Sequence, residues 1–112
     1  KSGVFVEPTI KSTSLAAGIA LPADTRVSIT NTSAKEGYPI SGFTWVIIYK
    51  EQKYGNKTKD KAEAVMKLLW WMTHEGQSLV GPLQYSPLPK DAVAKADVIL
   101  KSAVYGGVKI LK

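Results

Sequence analysis

The apolar positions along the chain follow two different periods, and they predict alternating helices and strands. Pro8 opens "EPTIKSTSLAAGIA", where Ile10, Leu15 and Ile19 mark one modest apolar side, so a short helix is expected up to Pro22. In "TRVSITN" Val27 and Ile29 alternate with Arg26, Ser28 and Thr30, the period of a half-buried strand. "NTSAKEGYP" is turn material. From Phe43 to Tyr49 every residue but Thr44 is apolar, which predicts a strand covered on both faces, as in the interior of an α/β sheet.

The segment from Asn56 to Val80 carries the strongest helical pattern. Asn56 or Thr58 can cap it, and Ala62, Val65, Met66, Leu69, Met72 and Thr73 recur at helical spacing. Leu68, Trp70 and Trp71 widen this face beyond one stripe, so heavy burial is expected. Gly81-Pro82, Pro87 and Pro89 punctuate the path, and Pro89 is placed to start a last helix. Its apolar side is Val93, Ala96, Leu100 and Ala103; "YGGVKIL" reads as a turn and a short strand. Internal repeats and low-complexity segments are absent from the sequence.

Composition narrows the function classes. At 112 residues and 45% hydrophobic content the chain has the size and make-up of one ordinary folded domain. No apolar run approaches the ~18 residues of a membrane span, and "KSGVFVEPTIKS" lacks the core of a signal peptide, so an export signal is expected to be missing or already removed. Without cysteine there are no disulfides or thiolate metal sites, and composition leaves the compartment open. The net charge of +6 invites a nucleic-acid reading. However, fourteen of the fifteen cations are Lys and only Arg26 has the planar fork suited to phosphate. The densest run, Lys50 to Lys61, is broken by Glu51 and Asp60 and reads as a solvated surface, so no nucleic-acid partner is expected.

Catalytic chemistry is sparse. The single histidine, His74, neighbours Glu75 in "MTHEGQ" but lacks the second His of a zinc helix, and a place near a helix C-terminus explains it. Phosphate-loop, dinucleotide and "GxSxG" patterns are absent, and no triad can be drawn with one His. Two matches to the glycosylation pattern, at Asn31 and Asn56, are of a kind that arises by chance. Trp45, Trp70 and Trp71 read as packing residues ahead of base or sugar platforms. The expectation is a protein that is not an enzyme and needs no cofactor or metal.

The stretches "YPISGFTWVIIYKEQ", "AEAVMKLLWWMTHEGQ" and "LQYSPLPKDAVAKADVILKS", taken in order, resemble the C-terminal portion of the periplasmic phosphate-binding proteins that serve phosphate ABC transporters. "GVFVEPTIKSTSLAAG" and "RVSITNTSAKEGYPI" resemble what precedes them, so the likeness covers essentially the whole chain. It implies an α/β fold, part of a type II periplasmic-binding-protein-like lobe with mixed sheet strands flanked by helices. Residues 1–37 would be the tail of the second lobe and 38–112 the C-terminal part of the first, or one compact unit when isolated. Tyr38, Pro39, Ile40 and Ser41 would then lie beside the hinge. The implied partners are inorganic phosphate in the full-length parent, the membrane subunits of the transporter, and the missing N-terminal portion or a second copy; the implied location is extracytoplasmic. The family's phosphate ligands belong to earlier segments, and no position here matches them. Arg26 and Asp24 have suitable chemistry, but "PADTRVS" does not resemble a ligand motif. Two alternatives are a free-standing protein-interaction module and a basic nucleic-acid-binding domain.

Overall fold

The computed structural model describes residues 3–112. Helix α1, Ile10–Ala16, is set by a reciprocal cap: the Ser12 N–H donates to Thr9 Oγ1 at 3.1 Å, and the Thr9 N–H donates to Ser12 Oγ at 2.9 Å. Pro8 thus precedes the cap rather than entering the first turn. The helix stops at Ala16, short of Pro22, because Gly18 follows the Ala17 cap and glycine is a poor helix former.

Helix α2, Lys59–Thr73, starts at Thr58, whose side chain accepts from the Lys61 N–H, with Asp60 in the first turn beside the positive end of the dipole. It ends at His74, where φ −120° and ψ −101° leave helical space. The predicted continuation toward Val80 becomes two tight turns instead, Glu75–Leu79 and Gly81–Leu83. Helix α3, Lys90–Lys101, begins after Pro89 and places Asp91 and Lys101 at the ends that suit their charges. Strands β1, Val104–Tyr105, and β2, Val108–Lys109, pair antiparallel. Their two-residue connection needs positive φ at both positions, which Gly106 (+59°) and Gly107 (+80°) supply.

The core lies where α2, α3 and the C-terminal hairpin meet. Met66, Leu100 and Ala103 are buried, with Ile48, Leu69, Trp70, Ile110 and Leu111 packed around them. The Tyr105 hydroxyl donates to the Lys57 carbonyl at 3.0 Å and ties the hairpin to the approach to α2. Ala16, Ala17, Leu21 and Ile29, in the N-terminal part, are also buried. The radius of gyration, 16.3 Å, exceeds the ~13 Å of a compact domain this size, and the molecule is 51 Å long but only 28 and 23 Å across. Elongation at fixed length leaves apolar surface uncovered.

Two sequence expectations are corrected here. The region of "TRVSITN" is not a ladder strand, although its alternation holds: Ile29 is buried and Val27 half-buried, while Arg26, Ser28 and Thr30 face solvent. Its neighbour is the stretch 39–45, running the other way, joined by Asn31 N–H to the Pro39 carbonyl (2.7 Å), Thr30 Oγ1 to the Ser41 carbonyl (3.2 Å) and Trp45 Nε1 to the Thr25 carbonyl (3.3 Å). Only the first is a backbone pair, too little to make a sheet. The second correction concerns Phe43–Tyr49, which is neither buried on two faces nor part of a strand. A single parallel bridge, Glu51 with Val104, joins the end of this run to β1. Among the described residues the result is three α-helices and a two-stranded antiparallel sheet, compatible with an α/β fragment.

Candidate functional site

The feature that distinguishes this surface is the uncovered run after Gly42. Trp45 is 46% exposed, Val46 59%, Ile47 94% and Tyr49 69%, while Ile48 turns inward to the core. Among the described residues, no backbone group from Phe43 to Tyr49 pairs with another backbone group. One carbonyl, that of Tyr49, accepts from the Gln52 side-chain amide, which is itself buried and also bonded to Lys57 Nζ through its oxygen. Phe43 and Trp45 meet edge-to-face at 6.1 Å. An uncharged, apolar stretch whose main chain lacks backbone partners is a template for another strand.

Tyr38, Pro39, Ile40 and Ser41, expected beside a hinge, form a tight corner beside α1. The Tyr38 N–H donates to the Ser12 carbonyl at 2.9 Å, and Ser41 Oγ, on a buried residue, donates to the Tyr38 carbonyl at 2.8 Å. Pro39 accepts from Asn31, and Ile40 projects outward. These four residues carry the chain from the 25–31 stretch into the open run.

Arg26 and Asp24 pair with each other on an exposed turn, Nε to Oδ2 at 2.8 Å. That side-chain bond from Arg26, helped by the Arg26 N–H at 3.1 Å, holds the Asp24 carboxyl below its usual range. The pair uses the Nε–H of the guanidinium, and the Arg26 side chain otherwise faces solvent. His74 lies at the end of α2, as expected, stacked on Trp70 at 4.1 Å. Its Nδ1 is 2.8 Å from the Trp70 carbonyl, which fixes the proton on that nitrogen because a carbonyl only accepts. Its Nε2 stands 3.4 Å from Asp97 Oδ1 of α3, a contact that is an ion pair only with a protonated ring, and that buried oxygen has no hydrogen-bond partner among the described residues. Glu75 opens the following turn and faces solvent.

The tryptophans separate by role. Trp70 packs on the core and lies under Lys101 Nζ at 5.3 Å, whereas Trp71 joins Leu68 and Met72 on an outer, exposed side of α2. Met72, expected inside, is therefore outside. Two shallow depressions mark the surface: one of about 200 Å³ beside Lys67, Trp70, Leu111 and Lys112, another of about 330 Å³ at Val4–Glu7 and α1, where Lys11 and Lys35 are offset by Glu7 and Glu36. No group of three or more His, Asp or Glu side chains able to hold a metal occurs among the described residues. No helix among them is long and apolar enough to cross a membrane.

Sequence reasoning missed Glu51 and Gln52, the first bonded to the hairpin tip and the second buried. "YGG" announced the turn, but nothing in the sequence announced which carboxylate would meet it.

No family model matches the chain, and no solved structure does. Curated proteins do match, among them the phosphate-binding protein PstS of Pasteurella multocida (strain Pm70), 26% identical over 107 residues. That alignment covers 93% of this chain and 30% of the relative, so the chain spans less than a third of the relative's length. The likeness is a distant one to phosphate-binding proteins.

Proposed function

We propose that this chain is the C-terminal portion of a two-lobed extracytoplasmic protein that binds inorganic phosphate and delivers it to the membrane subunits of an ABC transporter. Its own part is framework: residues 1–37 finish the second lobe, Tyr38–Ser41 make the crossing, and 38–112 return to the first lobe. It has no catalytic role and needs no cofactor. The observation that carries this reading is the pairing of the two lengths. A chain matched over 93% of itself to 30% of a phosphate-binding protein also leaves an apolar run uncovered at its own surface.

Phosphate recognition needs donors that converge on every oxygen, from helix N-termini, hydroxyls and a free guanidinium. Here Arg26 is held by Asp24 on an exposed turn, so the ligands belong to the remaining lengths of the protein. The exposure of Ile47 and its neighbours, in a chain matched to 30% of a longer relative, supports a core shared with the rest of the protein.

Calorimetric titration with inorganic phosphate, at fixed salt and with sulfate as control, tests the proposal on two proteins. The 112-residue chain, folded by far-UV circular dichroism, should give no binding heat. The full-length parent should bind phosphate in preference to sulfate. Micromolar binding by the short chain alone sinks the framework role, and a parent indifferent to phosphate sinks the phosphate reading.

A further inference from the structure

We infer that the 112-residue chain by itself forms a closed two-fold dimer in which Phe43–Tyr49 pairs antiparallel with the same stretch of a second copy. This concerns the isolated chain and does not rest on the phosphate reading, since a longer parent can cover the same run with its own segments.

The main chain of this stretch lacks backbone partners, and a desolvated donor or acceptor left unpaired costs ~1–3 kcal/mol. Any apolar surface that docks here must therefore also bring main-chain groups, which another strand does. A second copy brings the same uncharged run, and charge selects the register. Gly42 to Tyr49 holds no ionisable group at neutral pH, while Lys50 and Lys53 follow. Pairing about Val46 sets Phe43 against Tyr49, Trp45 against Ile47 and Thr44 against Ile48. Aromatic and β-branched cross-strand pairs of this kind are the favourable ones. Lys50 then falls opposite Gly42, so the two Lys50 side chains sit at opposite ends, about 27 Å apart at ~3.4 Å per residue. That exceeds the Debye length of ~8 Å at physiological salt, and the repulsion is screened. A register centred on Lys50 instead opposes like charges directly and places Lys53 against Ile47.

Exposure also orients the pair: Ile48 packs on its own core, while Trp45, Val46 and Ile47 are exposed and can cover one another across the two-fold. Antiparallel pairing about one axis is isologous and closes at two copies.

Sedimentation equilibrium of the chain between 5 and about 100 μM, a span that brackets micromolar affinity, tests the dimer together with hydrogen exchange of the amides. The expected result is a mass of two 12.1-kDa chains, with slowed exchange at residues 44–49. Ile47→Lys, at a position 94% exposed and so harmless to the single chain, should raise the dissociation constant about tenfold or more, and Val46→Pro should do the same. Raising salt should tighten association, because each copy carries +6. A monomer at the highest concentration overturns the inference. So does a dimer that is insensitive to Ile47→Lys with 44–49 unprotected, which would point to the outer side of α2, and so does a mass beyond two chains.

Discussion

One carboxylate, Glu51, accepts from the Gly106 N–H at 2.9 Å through Oε1 and from the Gly107 N–H at 3.1 Å through Oε2. The first oxygen also takes the Lys53 N–H at 2.7 Å. The tip of the C-terminal hairpin is thereby held to a residue 55 positions earlier, beside the one parallel bridge between Glu51 and Val104.

Glu51 makes this contact pH-dependent. The Lys53 N–H first, then those of Gly106 and Gly107, stabilise the ionised form and lower its pKa from the ordinary 4.5. Because the folded pKa is depressed, the contribution is complete above 4.5 and is lost as pH falls through the folded value. The Gly106 and Gly107 amides should shift and lose protection relative to their intrinsic exchange rates as pH drops below 4.5, and Glu51→Gln should show weaker protection already at neutral pH. Amide signals that stay constant down to pH 2.5 would contradict the clip.

Gly37 is the closest approach in the N-terminal part. A methyl group there would stand 2.8 Å from Thr32 Cγ2 and 2.9 Å from Ala16 Cα, and backbone cannot step aside as a side chain can. Gly37→Ala should cost ~1–3 kcal/mol, the range of an overpacked site, measured by urea unfolding. Adding Thr32→Ser should restore part of that loss at most, since the contact with Ala16 remains.

Thr9 and Ser12 should show coupling in a double-mutant cycle. Thr9→Ala removes the acceptor for the Ser12 N–H, at a cost of about 0.5–2 kcal/mol. Each single variant undoes the reciprocal bond, so the double variant should lose less than the sum of the two. Strict additivity in chemical unfolding would mean that the cap carries no joint stability.

Met66 is fully buried at the centre of a small core, so Met66→Ala should remove ~2–5 kcal/mol. Folded domains hold only ~5–15 kcal/mol in total, and this elongated chain, with its apolar run outside, is expected at or below the low end. The unmodified chain should melt below the ~45–65 °C of ordinary mesophile domains, with Met66→Ala largely unfolded at 25 °C. A midpoint well above that range in calorimetry would show a self-sufficient core and count against the shared-core reading.

Local chemistry was legible in the sequence wherever it decides structure alone. Thr58 caps α2, Pro89 precedes α3, and adjacent glycines make the turn between β1 and β2, because capping, the fixed φ of proline and positive φ act over a few residues. The inner side of α3 was legible in part: Leu100 is buried, Val93 and Ala96 are half-buried, and Ala103 is buried just past the helix end, whereas buried Ala92 was not expected. The tight turns that replace the helix between His74 and Val80, and the outward turn of Trp71 and Met72, were not legible. α2 has apolar residues over more than one side, and only the position of α3 and the hairpin decides which side is covered.

The open run states the division most clearly. Its composition determined that Phe43–Tyr49 prefers an extended, covered setting, since β-branched and aromatic side chains suit a pleated surface and their exposure to water is unfavourable. Whether a strand exists there was decided by tertiary structure alone, because a ladder requires a second backbone within hydrogen-bonding reach. Among the described residues β1 reaches only as far as the Lys50 carbonyl, which accepts from the Val104 N–H, and the 25–31 stretch offers one backbone bond to this side, from Asn31 to Pro39.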